Sequence, residues 1–194
     1  MTHDMPTPQL EKPQYLNRPD GLKIAYHHTP GKQSDTQAAN TRTLKMPGVM
    51  FLGGFMSDMT GTKATHLEEH CIRQGLGYTR FDYGGHGQSS GKFADGTIGK
   101  WAADAIAVLD EITTGPQILV GSSMGGWIML LVALARPERV AGLVGIAAAP
   151  DFTEDLMWAQ FSEDQKKTIM EDGALIEPTD YGDDPYTITR DLIE

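Results

Sequence analysis

One stretch constrains this chain more than any other. The apolar run 117–120, Gln-Ile-Leu-Val, passes through Gly121-Ser122-Ser123-Met124-Gly125-Gly126 straight into 124–135, a segment that is apolar nearly all round. The first part reads as a buried strand and the second as a central helix. A serine on the turn between them must adopt a strained conformation, and the residues two before and two after it must be small enough for the two backbones to pass. Gly121 and Gly125 meet that demand. The turn also sets Ser123 at the N-terminal end of the helix, where free N–H groups and the helix dipole favour developing negative charge. This is the context of a nucleophile elbow, with Ser123 the candidate nucleophile and the N–H of Met124 a candidate oxyanion donor.

The same G-x-S-x-G pattern occurs a second time, as Gly87-Gln88-Ser89-Ser90-Gly91. With 22 glycines and 7 serines in 194 residues, chance alone supplies about 0.09 matches, so the five letters do not decide by themselves. The flanks do: the second copy is bordered by polar residues and runs into 92–96 rather than into a helix. Context selects Ser123 and leaves Ser89 in a loop.

The remaining chain supplies the setting. Apolar runs at 49–52, 77–83 and 140–148 alternate with helical patterns at 62–74 and 98–112. In the last of these Ile98, Trp101, Ala102, Ala105, Ile106, Leu109 and Ile112 follow the i, i+3, i+4, i+7 spacing of a one-sided helix. Strands alternating with helices predict an α/β fold whose mostly parallel sheet is covered on both faces. The first 45 residues are polar. They offer an edge hairpin from 14–17 and 22–28, and a loop over 29–45. Beyond Pro150 the chain turns acidic: Ser162 to Gln165 has capping-box spacing ahead of a short helix, Phe152, Leu156, Met157, Trp158 and Phe161 add apolar surface, and no later run is as apolar as the earlier strands. The boundary therefore falls between a core segment, 1–150, and a distinct segment, 151–194.

Composition narrows the partners. A net charge of −10 without any Lys/Arg run argues against nucleic acid and anionic membrane surfaces. The longest apolar run, 127–135, is far short of the roughly 20 residues that span a bilayer, and no charged-then-apolar stretch opens the chain. A soluble, cytoplasmic protein is the expectation. The single cysteine, Cys71, leaves no internal disulfide and no multi-cysteine metal site, and reads as a small buried apolar residue.

A second oxyanion donor belongs in the loop after the 49–52 strand. Gly53-Gly54-Phe55-Met56 lets the chain turn tightly there, which makes the N–H of Phe55 the candidate. Met56 and Trp127 are the candidate substrate-binding side chains for an apolar acyl group.

Gly53-Gly54-Phe55, then 80–91 (Arg-Phe-Asp-Tyr-Gly-Gly-His-Gly-Gln-Ser-Ser-Gly), then 121–127 (Gly-Ser-Ser-Met-Gly-Gly-Trp) resemble, in order and spacing over residues 21–151, the serial landmarks of the α/β-hydrolase family. Thr60-Gly61-Thr62-Lys63-Ala64, Arg80-Phe81-Asp82-Tyr83 and the stretch 115–127 are similar to the mitochondrial acyl-protein thioesterase and acyl-glucuronide esterase group and its bacterial relatives. The resemblance implies hydrolysis of a carboxylic ester or fatty-acyl thioester, a small-molecule or acylated-protein substrate, and no cofactor. It makes 82–89 scaffolding and 151–194 the start of a cap or lid. Many family members have His-Gly where this chain has Gly53-Gly54, so a polar side chain is missing there but the backbone donor is kept.

The resemblance also implies eight strands, and a carboxylate and a histidine that follow the serine in the chain. Six strands are legible, and His3, His27, His28, His66, His70 and His86 all precede Ser123. No catalytic Asp or His is found. The expectation is that these residues are the N-terminal part of a longer hydrolase whose last two strands and C-terminal helix lie outside them. Two alternatives follow. One is a catalytically inert hydrolase fold acting as a binding module. The other is a zinc hydrolase using His66 and His70, since His66-Leu67-Glu68-Glu69-His70 fits H-x-x-E-H. Against zinc, Ala64, Leu67 and Cys71 define the buried side of that helix. His86 reads as a hydrogen-bonded loop histidine.

Overall fold

The computed structural model describes residues 12–32, 46–178 and 185–194, so most of the loop expected over 29–45 lies outside the described residues. The apolar runs become one six-stranded sheet: β1 (Gln14–Asn17), β2 (Lys23–Thr29), β3 (Gly48–Leu52), β4 (Tyr78–Phe81), β5 (Gln117–Ser122) and β6 (Val140–Ile146), in the spatial order β1-β2-β4-β3-β5-β6. The strands β4, β3, β5 and β6 run parallel, while β1 and β2 form the expected antiparallel edge hairpin.

Side-chain alternation on the central strands separates two cores. On β3, Met50 and Leu52 point into a large cluster with α2 (Ile98–Glu111) and α3 (Met124–Ala135); Val49 and Phe51 point the other way, to Ala64 and Cys71 of α1 (Thr62–Gln74). Leu119 and Val120 divide likewise on β5. Thr97 caps α2 by accepting a hydrogen bond from the Lys100 N–H (3.2 Å), and α1 stops at Gly75, which takes φ 72°. Both faces of the sheet are covered by helices, as predicted.

The strand order carries a functional consequence. From β3 the chain moves first to β4 on one side and later to β5 on the other. The carboxyl ends of β3 and β5 therefore flank a topological switch point, the crevice where open α/β sheets bind ligands. Leu52 pairs with Gly121 in the register, so the loops that leave β3 and β5 emerge side by side.

Three features differ from expectation. The acidic segment contains two further strands, β7 (Ala174–Glu177) and β8 (Tyr186–Thr189), paired antiparallel and followed by α5 (Arg190–Ile193). Each strand is only four residues long, Ala-Leu-Ile-Glu and Tyr-Thr-Ile-Thr, too short for a period to mark it, so the pairing between them defines both. The helix α4 (Glu163–Asp172) does start at a capping box, with both reciprocal Ser162–Gln165 hydrogen bonds formed. Within the apolar residues before it, Phe152 is buried but Leu156 faces solvent. Finally, α3 is not enclosed all round: Leu130 and Leu134 are 38% and 82% exposed, and Leu143, Val144 and Ile146 on the adjacent β6 are open as well. Among the described residues β6 pairs with β5 alone. No described helix is long and apolar enough to cross a membrane.

Candidate active site

Ser123 stands where β5 becomes α3, at φ 54° and ψ −120°. A non-glycine residue at positive φ is strained by about 1–3 kcal/mol and persists only where its surroundings over-determine it. Here the backbone does so: the Ser123 N–H donates to the Ile146 carbonyl (3.0 Å), and the Ser123 carbonyl accepts from Gly126 (2.8 Å) and Ala149 (3.1 Å). The glycines around it are required by close approach. A Cβ at Gly121 would lie 2.6 Å from the Gly125 carbonyl carbon, one at Gly125 2.5 Å from the Gly53 oxygen, and one at Gly126 2.7 Å from the Ala148 Cα. The Ser123 side chain is exposed and caps no helix N–H, so it leaves the Met124 N–H at the start of α3 for another acceptor.

The loop after β3 is the second element. Ser57 donates its N–H to the Gly54 carbonyl (3.2 Å), closing a turn whose third residue, Met56, sits at φ 51°. Turns of that kind favour glycine there, so Met56 is a second strained residue beside the serine. A Cβ at Gly54 would come within 3.4 Å of the Ser123 Cβ, which places the backbone next to Phe55 against the serine. Deeper in, Met59 anchors the loop to β4 and the turn after it: its N–H donates to Asp82 Oδ1 (2.6 Å) and its carbonyl accepts from Arg80 Nη1 (2.9 Å). Glu68 of α1 holds Arg80 through Nε and Nη2, each at 2.9 Å. Asp82 also accepts from the Gln88 N–H (2.8 Å); burial pushes its carboxyl above the usual range, against the pull of the two amide donors. These residues hold backbone in place, the scaffolding role implied by the resemblance.

The other singled-out residues separate cleanly. Ser89 donates to the Asp82 carbonyl (2.6 Å) and accepts from the Ala25 N–H (2.8 Å). His86 is 4% exposed, with Tyr83, Phe93 and Trp101 rings within 5.5 Å of its own; burial lowers its pKa to about 4, and Nε2 is the one buried side-chain polar atom without a partner among the described residues. His66 and His70 are exposed on α1, and the His66 Nδ1 lies 3.0 Å from the Thr62 carbonyl of its own helix. Ala64 and Cys71 face inward, and no cluster of three ligating side chains exists among the described residues, so the zinc arrangement is not assembled. No hydrogen bond joins Ser123 to a histidine among the described residues.

Met56 and Trp127 are both half-buried, and Trp127 packs edge-on against Phe152 (6.0 Å). The sequence reading missed the rings around Phe55: Phe93, Trp101, Phe152 and Tyr186 all meet it edge-on, with centroids 5.0–6.1 Å away. Nothing in the local pattern announces this cluster, because its members come from four separate elements.

The sheet order, the elbow and the switch-point loop together define an α/β-hydrolase fold. The sequence profile of the serine aminopeptidase S33 family matches residues 49–184, and the chain belongs to that family. It is 41% identical over 170 residues to the human mitochondrial palmitoyl-protein thioesterase ABHD10, a match that covers 88% of this chain and 51% of the relative. The chain spans about half the length of the curated relatives it matches. Among solved structures, a protein from Agrobacterium vitis S4 described as a hydrolase superposes with a TM-score of 0.83 at 36% identity, covering 94% of this chain and 69% of that one. Mouse alpha/beta hydrolase domain-containing protein 10 gives 0.76 at 37%, covering 93% and 67%.

Proposed function

We propose that the protein cleaves a carboxylic ester or a fatty-acyl thioester through an acyl-enzyme formed on Ser123. The observation that carries this reading is an exposed serine at φ 54° on a helix N-terminus, with the Gly54 backbone of a second strained loop against it. In the mechanism, Ser123 Oγ attacks the acyl carbonyl, the N–H groups of Met124 and Phe55 hold the oxyanion, the thiol or alcohol leaves, and water then releases the acid. Each donor is worth roughly 10²–10³ in rate where such holes have been dissected. No metal or cofactor enters. Met56 and Trp127 favour an apolar acyl chain, and the palmitoyl-protein thioesterase relatives support a long one.

Serine attack needs a base, and that base a carboxylate. We propose that both lie on chain that pairs with β6 and covers Leu130, Leu134, Leu143, Val144 and Ile146, with 1–150 forming the N-terminal part of the core and 151–194 the start of a cap. The competing reading, an inert binding module, draws on the lack of a histidine bonded to Ser123 among the described residues. A fluorophosphonate probe separates the two. Residues 1–194 alone label slowly, labelling accelerates once chain carrying the acid and histidine is appended, and Ser123→Ala abolishes it in both. Fast labelling of 1–194 alone overturns the assignment of the base, and no Ser123-dependent labelling in either form favours the binding module.

A further inference from the structure

Phe55 carries the proposed donor on its backbone and a crowded ring on its side chain. Two of the four rings around it belong to the core side: Phe93, on the 3-10 turn Phe93–Asp95, at 5.0 Å, and Trp101 of α2 at 6.1 Å. The other two come from the acidic segment: Phe152 at 5.6 Å, and Tyr186, the first residue of β8, also at 5.6 Å. The interplanar angles of all four lie between 63° and 76°, the edge-to-face arrangement that aromatic quadrupoles favour. The Phe55 ring is therefore gripped from both sides.

That grip sits on a strained backbone. Phe55 and Met56 are the central residues of the turn 54–57, and Met56 is held at φ 51°. Such a conformation relaxes unless its neighbours forbid it. Hydrogen bonds fix the turn at Gly54–Ser57 and again at Met59, and between them the restraint on Phe55 seen among the described residues is the packing of its side chain. Tyr186 in turn is well seated. Ile188 on the same strand and Leu192 on α5 are buried, Thr189 caps α5, and the Arg190 N–H donates to the Gly173 carbonyl (2.9 Å), tying β8 to the end of α4. Phe152 links the same ring to Trp127 of α3.

We propose that Tyr186 is a positioning residue for the oxyanion hole. The β7–β8 hairpin presses its ring onto Phe55 and so keeps the 54–57 turn in the conformation that aims the Phe55 N–H at the acyl oxygen. This inference rests on the function proposed above, but the contact it invokes can be tested without hydrolysis.

The test uses Tyr186→Leu and Tyr186→Phe in the full chain, followed by amide hydrogen exchange and by ester hydrolysis in a form that labels at Ser123. Tyr186→Leu is expected to speed exchange in the peptide covering 53–59 by about fivefold or more, with β3 and α2 peptides unchanged. Its kcat falls by about tenfold with KM within about twofold, the mark of a contact felt in the transition state. Tyr186→Phe, which keeps the ring, behaves as the parent in both measurements. Where Tyr186→Leu does not unfold cooperatively, Tyr186→Met carries the same comparison. Unchanged exchange at 53–59 overturns the proposal whether or not the protein hydrolyses esters, and so does faster exchange with kcat unaltered. Failure of all Ser123-dependent hydrolysis instead sinks the proposed function, and the exchange result still decides whether the ring holds the turn.

Discussion

Two serines share one five-letter pattern, and the structure treats them in opposite ways. Ser89 spends its hydroxyl on the backbone, giving a hydrogen bond to Asp82 and taking one from Ala25, while Ser90 beside it accepts from the Lys23 N–H (2.8 Å). That segment is a clasp between β2 and β4. Ser123 makes no cap, is open to solvent and heads a helix. Their glycines differ in physical purpose too. Gly87 and Gly91 sit at positive φ, 45° and 96°, and a Cβ on Gly87 would also meet a side chain, the Asp82 carboxyl carbon at 2.5 Å. Gly121 and Gly125 have no positive φ and are needed because another backbone passes where a Cβ would be. A sequence pattern records which residues are small, not why.

The largest effect that can break this contrast is at the nucleophile itself. Ser123→Ala is expected to remove fluorophosphonate labelling altogether, whereas Ser89→Ala leaves it within about twofold in any form that labels. Equal loss in both would mean that the two copies do not differ as described.

Next come the glycines. Gly125→Ala drives a methyl into the Leu52 and Gly53 carbonyls, and nothing but backbone can yield, so the variant should lose about 3–5 kcal/mol in urea unfolding or fail to fold. Gly115 provides the control, with φ 69° but nothing within 4 Å of an added Cβ. Gly115→Ala measures left-handed strain alone and should cost about 1–2 kcal/mol. A Gly125→Ala loss as small as that of Gly115→Ala would show that the elbow can open, and that close packing is not what fixes its sequence.

These cases indicate what local sequence can carry. The continuous apolar run of β3, the one-sided stripe of α2, the capping box of α4 and the elbow glycines each impose a demand within a few residues, and each was readable. Asp104 was not: its burial depends on Arg18 (2.9 Å) and the Gly84 N–H (2.9 Å), partners far away in the chain. Nor were β7 and β8, at four residues each too short to show a period. The site divides the same way. Ser123, Met124 and Phe55 are tied to glycine-bearing turns, whereas Phe152 and Tyr186 reach Phe55 only because the whole chain brings them there.

A third test asks which copy of the motif yields first in acid. His86 lies in the Ser89 segment, and its carbonyl accepts from the Ser89 N–H (3.0 Å). Its pKa in the fold is lowered to about 4 from an ordinary value of 6.5. The unfolded chain therefore binds this proton first as pH falls, so the stability is intact above pH 6.5 and is lost between 6.5 and about 4, by up to about 3 kcal/mol. His86→Phe, which fills the same aromatic pocket without titrating, should flatten the unfolding midpoint across that window and leave it little changed at pH 7.5. An acid profile identical to the parent's would place the sensitivity elsewhere.

The smallest effect returns to Ser89. Its hydroxyl serves the Asp82 carbonyl and the Ala25 N–H at once, and alanine leaves both without that partner in a half-buried place. The expected loss is about 1–2 kcal/mol. Threonine keeps the hydroxyl, so Ser89→Thr should recover most of that stability if its extra methyl is accommodated, while at position 123 the same change adds a β-branch at a positive φ and is disfavoured twice over. Urea unfolding of the four single variants, alanine and threonine at each site, therefore gives opposite rankings: at 89 the hydroxyl is what matters, and at 123 the backbone is. A common ranking would mean that Ser123 is held by its side chain after all, and that the exposed hydroxyl, without a partner among the described residues, on which the proposed chemistry rests is not the resting state of the elbow.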